Sequence, residues 1–93
     1  MANTQSAKKQ ARSSLRKHDR NRTRRSTART KIKKARLQIE GGDLEAAIAA
    51  TRQAVSSLDR AAAKGAIHRN NASRRKSRLM KRLAALEAQQ AAE

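Results

Sequence analysis

The chain has 93 residues, 24 of them Lys or Arg and 7 Asp or Glu, for a formal net charge of +17, and it contains no aromatic residue, no Pro and no Cys. A chain of this length makes one small domain with a thin core, and self-repulsion at this charge opposes compaction unless a polyanion lies alongside. The missing Cys excludes disulfides and thiolate metal sites; the missing Phe, Tyr and Trp exclude readers that stack single-stranded bases on aromatic rings.

The opening MANTQSAKK has no apolar core of a signal peptide. No stretch approaches the ~20 apolar residues of a membrane span. The expectation is a cytoplasmic chain forming a single domain over residues 1–93. Charge falls into blocks. Residues 1–40 hold 14 basic and 2 acidic groups, net +12; residues 41–63 hold 2 and 3, net −1. Residues 64–82 hold 8 basic groups and no acidic one, net +8, and residues 83–93 carry net −2.

Abundant Ala and no Pro favour helix throughout. The three glycines sit at two places. In EGGD, Gly41 offers a left-handed helix stop and Asp43 an N-cap for the next helix. Gly65 in AKGAIH offers a second stop. Three helices are predicted, over about 4–40, 44–63 and 68–91. Short links make neighbours antiparallel. The predicted fold is an all-α antiparallel three-helix bundle.

The first helix has an apolar stripe only near its end, at Ala28, Ile32, Ala35 and Ile39. Upstream, residues 16–34 read RKHDRNRTRRSTARTKIKK, ten of nineteen being Arg or Lys. At 1.5 Å per residue the first helix spans ~55 Å and the second only ~30 Å. The second can therefore cover only half of the first, and the N-terminal half projects beyond the bundle. On a helical wheel the charges of this rod fall into two arcs. Arg16, Lys17, Arg20, Arg24, Lys31 and Lys34 form one; Arg22, Arg25, Arg29 and Lys33 form the other. Two arcs suit a rod wedged between phosphate surfaces. A merely solvated charged face is the ordinary explanation of a short charge run, but it fits poorly with +12 in forty residues. Arg outnumbers Lys 15 to 9, and its planar fork grips phosphate bidentately where Lys is a point charge. Interleaved small residues (Ser13, Ser14, Asn21, Thr23, Ser26, Thr27 and Thr30) permit close approach; simple exposure accounts for any one of them.

The second helix has the clearest pattern: Leu44, Ala47, Ile48, Thr51, Ala54, Val55, Leu58 and Ala62 form one stripe. Glu45, Arg52, Gln53, Ser56 and Asp59 lie opposite. The third helix sets Ala72, Leu79, Leu83, Leu86 and Gln90 against Arg74, Arg75, Arg78, Lys81 and Arg82. Large apolar side chains are few. Each contributes roughly 1.5–3 kcal/mol when buried, against an ordering cost of about 1.5 kcal/mol per residue. The free protein is expected to be marginally stable.

No catalytic constellation is visible. His18 and Asp19 are sequence neighbours, which do not share a helix face. His68 opens the third helix, where capping or packing outweighs an RNA contact. Two His and scattered carboxylates make no metal cluster, and EGGDLEAA lacks the Gly-Lys-Ser/Thr of a phosphate-gripping loop.

MANTQSAKK, RRSTARTKIKK (24–34), EGGD and DRAAAKGAIHRNNASRRKSRL (59–79) together resemble the S-twenty family of bacterial small-subunit ribosomal proteins, over essentially the whole chain. The stretches 64–70 and 76–79 are the most specific. Gln5, Gln10 and Asn71 stand where the family commonly has basic residues. The resemblance implies a three-helix bundle with a long first helix and no enzymatic role. It implies direct binding to small-subunit (16S) ribosomal RNA early in assembly, near the bottom of the subunit body. Carried over, the RNA contacts are Lys8, Lys9, Arg16, Arg24, Arg25, Arg29, Lys33 and Lys34, then Lys64, His68, Arg69, Asn70, Arg74, Arg75, Lys76 and Arg78. The charge pattern adds Arg12, Lys17, Arg20 and Arg22.

The resulting expectation is a structural, RNA-binding constituent of the small ribosomal subunit that stabilises RNA folding by neutralising phosphates. Its partners are ribosomal RNA and other ribosomal components. No cofactor, metal, membrane, small-molecule substrate or homo-oligomer is expected. An architectural nucleoid DNA-binding protein is the alternative, though the chain has no wedge residue of the kind that bends DNA. A cationic membrane-active helix is a further rival, and it needs a wide apolar face that the first helix lacks.

Overall fold

A computed structural model describes residues 4–92. Three helices follow one another: α1 (Gln5–Gly41), α2 (Leu44–Ala63) and α3 (Arg69–Ala91). They run up, down and up, with α2 as the central partner. α1 packs chiefly on α2, α3 also packs on α2, and α1 and α3 meet least. The molecule measures 71 × 20 × 13 Å, longer than the ~55 Å of α1 alone.

Each boundary has a local cause. Thr4 caps α1, its hydroxyl accepting from the Ala7 amide at 3.2 Å. The stop expected at Gly41 falls one residue later. Gly41 is helical, and Gly42 takes the left-handed conformation (φ 79°) while its amide donates to the Ile39 carbonyl at 3.2 Å. Either glycine of the pair meets the steric requirement for positive φ, and Asp43 follows directly as the N-cap of α2. Its carboxylate accepts from the Ala46 amide at 3.3 Å, as expected of the N-cap. At the other end of α2, Gly65 (φ 75°) donates to Ala62 at 3.0 Å and Ala66 donates to Ala61 at 2.8 Å. These two bonds make a Schellman stop, and Ala66 is buried over the helix end as that motif prefers. His68 then caps α3, with Nδ1 accepting from the Asn70 amide at 3.1 Å. Of its two expected uses, capping is realised.

The core is thin and rich in alanine. Ala28, Ile32 and Ala35 of α1 meet Ala54 and Leu58 of α2 and Ala72 and Leu79 of α3. Leu58 and Thr51 are its largest fully buried side chains. The α2 stripe is displaced slightly from the expected one. Ala61 is fully buried, whereas Ala62, Ile48 and Val55 are half-buried. In α1 the stripe starts at Ala28. Residues 8–20 are exposed on every side, including Leu15 at 65%. The α3 C-terminal turn is tied back by the Gln90 amide, which donates to the Gly42 carbonyl.

Candidate nucleic-acid interface

The N-terminal rod presents Lys8, Lys9, Arg12, Arg16, Lys17 and Arg20 to solvent, spread over about half of its circumference at 100° per residue. Its one carboxylate, Asp19, lies 4.0 Å from His18 Nδ1, with both side chains more than two-thirds exposed. Sequence neighbours thus approach each other, but at the edge of contact and in full solvent, where such a pair contributes little. None of the six rod cations has an acidic partner among the described residues.

Where the rod enters the bundle, the expected contact residues divide. Arg22, Arg29, Lys33 and Lys34 are exposed. Arg24 and Arg25 are half-buried. Arg24 donates to Asn21 Oδ1 at 3.0 Å, and Arg25 reaches across to the Ala66 carbonyl at 3.2 Å. Arg25 thereby pins the α2–α3 turn against α1. It brings Lys64, His68, Arg69 and Asn70, all exposed, beside the middle of α1, where the rod enters the bundle. With Nδ1 of His68 occupied as an acceptor, its proton resides on Nε2, available to an outside acceptor. Arg74, Arg75 and Arg78 are exposed on α3. Lys76 is turned inward to Asp59 at 2.7 Å, the closer of the two ion pairs among the described residues.

The two arcs of α1 flank different helices. Lys31 donates to Gln53 on α2 at 3.4 Å, which places the bundle end of the first arc beside α2. The second arc faces α3. There Arg29, Lys33 and Arg36 line one wall of a cleft of about 480 Å³, and Arg75, Arg78 and Arg82 line the other, over a floor containing Ile32 and Leu79. Arg36 and Arg82 were not among the expected contacts. The signal for them was present: Arg36 lies seven residues after Arg29, and Arg82 seven after Arg75, so each repeats its partner's face. A second groove, between α2 and α3, is of another character, with Ile48, Val55, Met80 and Leu83 beside Asp59 and Glu87.

A chain so arranged is a polycation with fixed geometry. Comparison with known proteins places it. Residues 2–84 match the profile of ribosomal protein S20. The chain belongs to the ribosomal protein S20 family. The match takes in the rod, the pinned turn and both walls of the α1–α3 cleft. Small ribosomal subunit protein bS20 of Thermomicrobium roseum is 64% identical over 86 residues, 92% of this chain and 87% of that protein. The bS20 proteins of a Roseiflexus species and of Aliivibrio fischeri are 52% and 49% identical, over 90% and 92% of this chain and 91% and 100% of their own lengths. Membership of the S20 family makes the chain a structural ribosomal protein and not an enzyme. Among the described residues no group of three His, Asp or Glu side chains comes together as a metal requires, and no helix is long and apolar enough to cross a membrane.

Proposed function

We propose that the chain is a constituent of the cytoplasmic small ribosomal subunit that binds 16S ribosomal RNA directly. In this reading it stabilises the folded RNA by neutralising phosphates where RNA segments converge. The observation that carries the reading is the rod: residues 8–20 are exposed on every side, and six cations there lack acidic partners among the described residues. A helix so charged and so unsupported gains its neighbours from a polyanion. With no aromatic side chain to stack on bases, recognition works through backbone and shape and falls steeply with salt. α2 fastens the two basic helices together, and α1 presents charge on two sides.

The rod's ordering is coupled to binding, because tertiary packing supplies most helix stability and the rod has none. Circular dichroism of the free chain at low salt should read less helix than the complex with a small-subunit ribosomal RNA transcript; full helicity without RNA counts against the coupling. Replacing either arc of α1 by Gln should weaken binding. Unchanged affinity after loss of one arc removes the two-sided wedge. Competition between the transcript and duplex DNA at the same salt separates this role from nucleoid architecture, since a DNA architect would prefer the duplex.

A further inference from the structure

The cleft between α1 and α3 has a feature that the rod does not. Its six cations stand on two facing walls, not around one helix. Arg29, Lys33 and Arg36 follow at intervals of four and three along α1, and Arg75, Arg78 and Arg82 at three and four along α3. In each set the first and last residues are seven positions apart, or about 10 Å of helix. Among the described residues no acidic side chain lines the cleft. Among the described residues, none of the six makes an ion pair or a side-chain hydrogen bond with the rest of the protein. Like charges facing one another repel, and here they do so across the least-packed interface of the bundle.

An anion with several charges in a row relieves that repulsion from both sides at once. Five of the six groups are Arg, suited to grip phosphate oxygens with two parallel N–H donors. The floor at Ile32 and Leu79 is aliphatic and buried; it offers neither a stacking surface nor a hydrogen-bonding group for a base. What fits is a strand entering backbone first.

We propose that this cleft receives the sugar-phosphate backbone of one RNA strand, held from both walls, and that Arg36 and Arg82 are phosphate ligands within it. The proposal rests on the RNA-binding role given above and adds a place where α1 and α3 hold the same strand. Contact there is independent of base sequence. It also closes electrostatically the one interface that the apolar core leaves weakly joined.

The test uses the full chain and a full-length small-subunit ribosomal RNA transcript, with affinity measured from about 50 to about 200 mM KCl. Arg36→Gln and Arg82→Gln should each lower affinity and each flatten the plot of log affinity against log salt by about 0.7 to 1. Arg52→Gln, an exposed cation on α2 that lies outside the cleft, beside the α2–α3 groove, should leave the slope as it was. If Arg36→Gln and Arg82→Gln keep the wild-type affinity and slope, the cleft is not a strand site, whatever the rest of the chain binds. If Arg52→Gln loses as much as either, the effect is one of bulk charge and the cleft assignment also falls. If the unaltered chain prefers duplex DNA to the transcript, the RNA reading itself fails, a result distinct from both.

Discussion

From Ala28 onward, the inward face of α1 puts a small or aliphatic side chain against the rest of the bundle; through residues 8–20 the same helix has no such face. One continuous helix therefore has two kinds of environment. The bundle half is held by burial, with Leu58, Ala54 and Ala35 fully enclosed. The projecting half is held by contacts within the helix, chiefly its backbone hydrogen bonds and the Thr4 cap. Mutations should respect the division: changes in the bundle alter stability, and changes in the rod alter what it binds.

The largest expected contrast is between two leucines. Leu58→Ala should destabilise the fold by about 2–5 kcal/mol, read as a drop in urea midpoint or complete loss of the cooperative transition. Leu15→Ala should stay within about 0.5 kcal/mol, since exposed positions carry little. An equal loss at both would mean that the rod has a partner within the protein. Next is the triple change of Arg16, Lys17 and Arg20 to Gln. Stability should hold, while the salt slope of RNA binding falls by about 2; an unchanged slope would place these cations away from phosphate. A smaller effect, of opposite sign, is expected at Thr51, whose buried hydroxyl has no hydrogen-bond partner among the described residues. Thr51→Val should raise stability by about 1 kcal/mol, and a loss would mean that the hydroxyl is satisfied in solution. Last come the caps. Asp43→Ala in the bundle should cost about 1 kcal/mol of global stability. Thr4→Ala should cost only local helix at the rod tip, visible by amide exchange and not in the unfolding midpoint.

Much of the architecture was legible in the sequence. The glycine pair, Gly65 and the periodic stripes suffice for three helices, and the mismatch of helix lengths suffices for the projection. Two details escaped for definite reasons. Gly41 and Gly42 are chemically identical candidates for a left-handed stop, so their order along the chain says nothing about which one turns. Ala61 and Ala62 differ in nothing but azimuth, so a stripe drawn by hydropathy cannot choose between them. The interface was legible as charge but not as destination. Arg25 and Lys76 have the same chemistry as their exposed neighbours. Their acceptors, the Ala66 carbonyl and Asp59, lie 41 and 17 residues away, and only folding brings them near. The α1–α3 cleft is likewise a meeting of two helices that neither helix announces, although the seven-residue spacings within each wall were there to read.

The uninterrupted course of α1 through 37 residues makes it a ruler with a built-in phase. Packing of Ala28, Ile32 and Ala35 sets the azimuth of the bundle half, and every side chain upstream inherits it at about 100° and 1.5 Å per residue. Inserting a single alanine between residues 20 and 21 would swing the whole tip by more than a quarter turn without touching a charge. Distance and bearing between whatever grips the two ends are thus written into the count of residues between them.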